Sequence, residues 1–109
     1  MRKIVYEAAA FRQIDKFPEA VKVRILHALN VEAAGVRHPS TKTLSGFGDA
    51  QVSEIREWAS NGTYRVVFTL RVADHLYVLH AFQKKSKRGA ATPQKDLDLV
   101  RERLKHLKL

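Results

Sequence analysis

The chain has 109 residues, 20 of them Lys or Arg and 11 Asp or Glu, for a formal charge of +9 and a pI near 10.2. That length suits one domain, residues 1–109, with a core of its own, and the absence of cysteine excludes disulfides, a thiolate nucleophile and Cys-ligated zinc. So basic a balance in a chain that is 45% hydrophobic predicts a folded globule with a polyanion, RNA first, as its partner.

Ile4-Val5-Tyr6 predicts a short opening strand. Residues 8–16 are rich in helix formers, with Phe11 and Ile14 one turn apart. Phe17-Pro18 ends them, because a residue before proline avoids the α region. Pro18 suits the first turn of a second helix and Glu19 its dipole; Val21, Ile25, Ala28 and Leu29 share one face of a helix that runs to about Ala34 and stops at Gly35. Val36 to Gly48 reads as connection. Val52 to Trp58 predicts a strand with Ile55 on one face and Glu54, Arg56 and Trp58 on the other. Ser60-Asn61-Gly62-Thr63 carries the Asn-Gly pair, the strongest short hairpin signal. Tyr64 to Leu70 returns with Tyr64, Val66, Phe68 and Leu70 on one side and Arg65, Val67 and Thr69 on the other. After a turn at Ala73-Asp74, His75 to Gln83 completes an antiparallel meander.

This last apolar run feeds straight into Lys84, Lys85, Lys87 and Arg88. A buried strand tolerates almost no unpaired charge, so the chain must leave the core near Gln83 and present these cations to solvent, where they can grip phosphate. From Lys84 to Leu109 nine basic residues face three acidic ones, so +6 of the +9 lies in the final quarter. Gly89-Ala90-Ala91 breaks the chain, Thr92 serves as N-cap and Pro93 as first residue of a helix striped by Leu97, Val100, Leu104 and Leu107 through to Leu109. The predicted fold is α+β: two N-terminal helices and a C-terminal helix around a small, mainly antiparallel sheet. The helices cover one face; the other displays Arg56 and Arg65, with Lys84 and Lys85 arriving at the same end if the third strand pairs in register. No apolar run approaches the roughly 20 residues of a membrane span, and the opening residues lack a signal-peptide core, so a cytoplasmic chain with no membrane partner is expected.

Four runs in order, Glu54-Ile55-Arg56-Glu57, Gly62-Thr63-Tyr64-Arg65-Val66, Leu79-His80-Ala81-Phe82-Gln83-Lys84-Lys85-Ser86 and Thr92-Pro93, resemble the RelE/HigB superfamily of toxins. Within it the likeness is to the phage-derived RelE-like branch paired with HigA-type antitoxins. The resemblance implies the toxin of a type II toxin–antitoxin system, a ribosome-dependent endoribonuclease that cuts mRNA in the ribosomal A site. It implies a cognate helix-turn-helix, HigA-like antitoxin as partner. The family's functional positions fall on Arg56, Arg65, Lys84 and Lys85, with Phe82 as the aromatic before the lysines. The chain lacks the C-terminal tyrosine that some members use near the cut, which leaves the general base open.

Metal-free RNA cleavage turns the substrate's 2′-hydroxyl on the adjacent phosphate and needs a base, an acid and charge stabilisation. Arg65 suits the last role, since a guanidinium fork matches phosphate oxygens and keeps its proton; the alternative is a salt bridge to Glu54 or Glu57. Lys84 or Lys85 can serve as base or acid, clustered cations disfavouring one another's charge, or can simply be a solvated run. Arg56 would position phosphate, while Lys87 and Arg88 would contact RNA or ribosome. His80 is a proton carrier and RNA contact or a satisfied, partly buried histidine; Phe82 or Trp58 can stack a base. His27, His38, His75 and His106 show no paired spacing, so no metal is expected, and Ser45-Gly46-Phe47-Gly48 lacks the Lys-Ser/Thr ending of a phosphate loop, so no cofactor is either. Two other functions fit the same architecture: a ParE-like gyrase poison, and a non-enzymatic module that binds RNA or protein.

Overall fold

Each face of one sheet carries an apolar cluster, and different helices cover the two. The computed structural model describes residues 1–70, 74–85 and 91–107. Its strands are β1 (Lys3–Tyr6), β2 (Thr41–Thr43), β3 (Val52–Ala59), β4 (Gly62–Thr69) and β5 (His75–Lys84), in spatial order β1-β5-β4-β3-β2. Strands β2 to β5 pair antiparallel, while β1 runs parallel to β5 with Ile4 beside Leu76. Helices α1 (Ala8–Asp15) and α2 (Glu19–Ala33) lie between β1 and β2, and α3 (Gln94–Lys105) follows the sheet. Among the described residues no helix is long and apolar enough to cross a membrane.

Helix α1 starts where the Glu7 carboxylate accepts the Ala10 N–H at 3.0 Å. The expected face of α2, Val21, Ile25, Ala28 and Leu29, is buried against Ile55, Val66, Phe68, Leu76 and Val78. Those strand residues share a face because their side chains alternate, and burial of each is worth about 1.5–3 kcal/mol. Arg24 fastens α2 to β3, its Nε donating to Glu57 Oε1 at 3.1 Å and its Nη2 to the Trp58 carbonyl at 2.9 Å. Gly35, at φ +90°, ends the segment as its position after the helix predicts.

The expectation that all helices cover one face is corrected by α3. Its stripe needs an apolar partner, and Val52, Val67 and Leu79, on the face opposite α2, supply it to Val100, Leu104 and Leu107. A bulge in β5 helps: Val67 lies opposite His80 and Phe68 opposite Val78, so Leu79 is the extra residue. Leu79 and His80 therefore both turn toward α3, where Leu79 joins the core and His80 meets Asp96.

Three boundaries differ from expectation for local reasons. Thr41–Thr43, taken as connection, is a strand whose three residues pair with Ser53, Glu54 and Ile55; so short an edge strand leaves no periodicity to read. The hairpin bends at Ser60–Asn61, with Gly62 already paired to Ala59. Pro93, not Thr92, caps α3, because the Thr92 hydroxyl donates at 2.9 Å to Glu54 Oε2 rather than serving the helix; the helix ends at Lys105. Ala73 of the predicted turn, Leu109 at the end of the predicted last helix, and Lys87 and Arg88 lie outside the described residues.

Candidate functional site

Alternation along β3 sends Glu54, Arg56 and Trp58 to the α3 side, and strand register extends each across the sheet. Arg56 pairs with Arg65, which pairs with Phe82; Trp58 pairs with Thr63, which pairs with Lys84. These two cross-strand rows lie about 7 Å apart at the hairpin end of the sheet. The register thus brings Arg56, Arg65, Phe82 and Lys84 to one face.

Exposure separates them. Arg65 is 0% exposed and Glu54 likewise, whereas Arg56, Phe82 and Lys84 are partly exposed and Lys85 is exposed. Arg65 stands with its Nη1 at 3.5 Å from Glu54 Oε1, the salt bridge weighed against a phosphate contact. The same oxygen accepts Arg56 Nε at 2.6 Å. Two arginines directly opposite across a strand pair repel, and the shared carboxylate offsets this. Burial pushes the Arg65 guanidinium below its ordinary value, Glu54 pulls it back up, and Arg56 works with burial. Arg65 therefore supplies charge from beneath the surface, and Arg56 is the arginine that solvent reaches.

His80 sits one row further in, buried under α3. Arg103 Nη1 donates to its Nδ1 at 3.2 Å, which leaves the ring proton on Nε2, given to Asp96 Oδ1 at 2.7 Å. Arg103 also reaches the Leu79 carbonyl at 2.9 Å and lies 3.4 Å from Glu7 Oε1. With both nitrogens engaged inside the chain, the imidazole stacks on Phe82, centroids 5.1 Å apart and planes within 19°, and props that ring at the surface. Burial holds its pKa below the ordinary 6.5, although the Asp96 hydrogen bond pulls the other way. Below about 6.5 the unfolded chain then binds a proton that the folded chain resists, so this contribution to stability is full above that pH and shrinks as pH falls. The urea midpoint should drop between pH 7.5 and pH 5, and His80→Gln should remove part of the drop; an unchanged pH curve in the variant would rule out the assignment.

Two depressions flank the residues entering α3. One is lined by Phe82, Gln83, Lys84, Lys85, Pro93, Lys95 and the acid Asp96. The other is lined by Lys42, Thr43, Ser45, Arg56 and Thr92 among others, so the unpredicted strand β2 adds a cation to the face. Lys42, Lys95 and Glu54 escaped the sequence reading as site residues. Lys95 left one signal, a cation in a helix's first turn where the dipole disfavours it. Glu54 left another, a carboxylate two positions from Arg56 on the same side of the strand.

No curated protein sequence matches the chain. Its fold does match solved structures. The crystal structure of the isolated E. coli RelE toxin superposes with a TM-score of 0.63, at 18% identity, over 81% of this chain and 89% of that one. A double arginine-to-alanine mutant of the E. coli toxin RelE in the free state gives 0.63 at 14% identity over 98% of both chains. The fold is the RelE-like α+β fold. Residues 12–105 match the family described as phage-derived Gp49-like protein (DUF891), and the chain belongs to that family.

Proposed function

We propose that this chain is the toxin of a type II toxin–antitoxin pair, a single RelE/HigB-like domain that cleaves mRNA on the ribosome in the cytoplasm. The observation that carries the reading is the row Arg56–Arg65–Phe82 with Lys84 beside it, in a Gp49-like chain whose solved structural relatives are described as toxins. Phosphate would sit over the hairpin end of the sheet, held by the outer nitrogens of Arg56 and by Lys84 and Lys85, with a base stacked on Phe82. The substrate's 2′-oxygen bonds to phosphorus as the bond to the 5′-oxygen breaks, leaving a 2′,3′-cyclic phosphate and a 5′-hydroxyl. One of Lys84 and Lys85, as the free amine, takes the 2′-hydroxyl proton and the other, as the ammonium, gives a proton to the leaving 5′-oxygen, and no metal or cofactor is required. Arg65 stabilises the extra negative charge through the field of its buried guanidinium. A HigA-like helix-turn-helix protein would neutralise the toxin, and co-expression with the neighbouring reading frame should yield a stable complex.

Controlled expression followed by mapping of mRNA 5′ ends tests the activity. New ends within coding regions are expected, reduced about 100-fold by Lys84→Ala, the scale seen when a stabilising donor is removed. Growth arrest with intact messages and broken DNA would instead identify a gyrase poison, and RNA binding without cuts a binding module.

A further inference from the structure

Glu54 is a carboxylic residue with no exposed surface, set on a face where, among the described residues, it stands beside Lys42, Arg56 and Arg65, while the other acid, Asp96, is taken up by His80. Its Oε1 accepts Arg56 Nε at 2.6 Å and faces Arg65 Nη1 at 3.5 Å, while Oε2 accepts the Thr92 hydroxyl at 2.9 Å. An acid here weakens the attraction of the face for a polyanion. Stability gives little reason to keep it, since buried ion pairs can often be exchanged for packed apolar groups at no loss. Geometry gives a better one. A guanidinium held at Nε is restricted in orientation, with the far edge of its fork turned away from that bond. For Arg56 the side chain also lines the depression that holds Lys42, Thr43, Ser45 and Thr92.

We propose that Glu54 is a positioning residue: its carboxylate fixes Arg56 by Nε so that the outer edge of the guanidinium meets an RNA phosphate beside Lys42. The proposal rests on the RNA-cleaving reading for its catalytic consequence and on geometry alone for the orientation. Uncompensated, Arg56 and its cross-strand neighbour Arg65 repel, and Arg56 is the one with solvent to move into. Misplacement of a phosphate-holding group by about 1 Å costs on the order of 100-fold in rate while barely changing attraction for the polyanion.

Glu54→Gln keeps the shape and removes the charge. Cleavage of ribosome-bound mRNA per folded molecule should fall at least about tenfold. Affinity for a single-stranded RNA made uncleavable by 2′-deoxy substitution should be unchanged or tighter. Glu57→Gln, which removes an equal charge from the opposite face where Glu57 holds Arg24, should stay within about twofold of the parent in cleavage. The Arg56 Nε–H resonance should be sharp and slowly exchanging in the parent, and should broaden in Glu54→Gln. Unchanged cleavage per folded molecule, a loss that merely tracks the folded fraction, or an unaltered Arg56 resonance overturns the proposal. If Glu54→Gln does not fold, Arg56→Lys, which keeps the charge and lacks Nε, should show the same split, and full cleavage by it overturns the proposal. A parent that never cuts mRNA removes the functional reading; the Arg56 resonance then decides the orientation by itself.

Discussion

Arg65→Ala should lower stability by about 3–5 kcal/mol, the cost of removing one partner from a buried, charged group. The guanidinium is fully buried, its Nη1 faces Glu54 Oε1 at 3.5 Å, and its removal leaves the carboxylate desolvated with Arg56 and Thr92 as its remaining partners among the described residues. The vacated volume lies between β3 and β5, flanked by Arg56 and Phe82, and cannot collapse without disturbing both. In a chain of this size that loss is a fall in thermal midpoint of at least about 12 °C. Urea denaturation of the parent and variant at pH 7.5 gives the number directly. A change below about 1 kcal/mol would mean the pair is hydrated and the site more open than its burial indicates. The result also bears on how inactivity is read: loss of cleavage in Arg65→Ala reports catalysis only after correction for the folded fraction.

Much of this arrangement was legible in the residues. Period-two alternation placed Arg56 and Arg65 on the side opposite Ile55 and Tyr64, and the Asn-Gly hairpin implied that they would be neighbours. The exit of β5 at Gln83–Lys84 followed from the cost of burying cations. Three things were not legible. The bulge that turns both Leu79 and His80 toward α3 is a register slip with no local sequence mark. Thr92 reads as an N-cap because hydroxyls favour that position, yet a buried acceptor 38 residues away won its hydrogen bond. The burial of Arg65 is likewise a property of three strands and a helix together. A sequence shows that a residue lies on the α3 side; how much of it water reaches depends on what packs above.

The Asn-Gly signal carries a second large effect. Gly62→Ala should cost about 3 kcal/mol or more and should reduce cleavage beyond what lost stability explains. Gly62 stands at φ +129°, where a side chain is strained by about 1–3 kcal/mol. An added Cβ would also run into the Lys84 carbonyl oxygen and crowd Lys85 Cα at 3.0 Å. Backbone cannot yield as a flexible side chain does, so the end of β5 must swing away from β4, breaking the pairing of Thr63 with Lys84. That movement carries Lys84 and Lys85 off the row of Arg56 and Phe82. Gly35→Ala is the matched comparison: at φ +90° with nothing within 4 Å of the new Cβ, it bears backbone strain alone. Gly35→Ala should lose about 1–2 kcal/mol and cleave normally per folded molecule. Equal cleavage per folded molecule by the two variants would show that the close approach of Gly62 to β5 serves stability only, and that the lysines tolerate displacement.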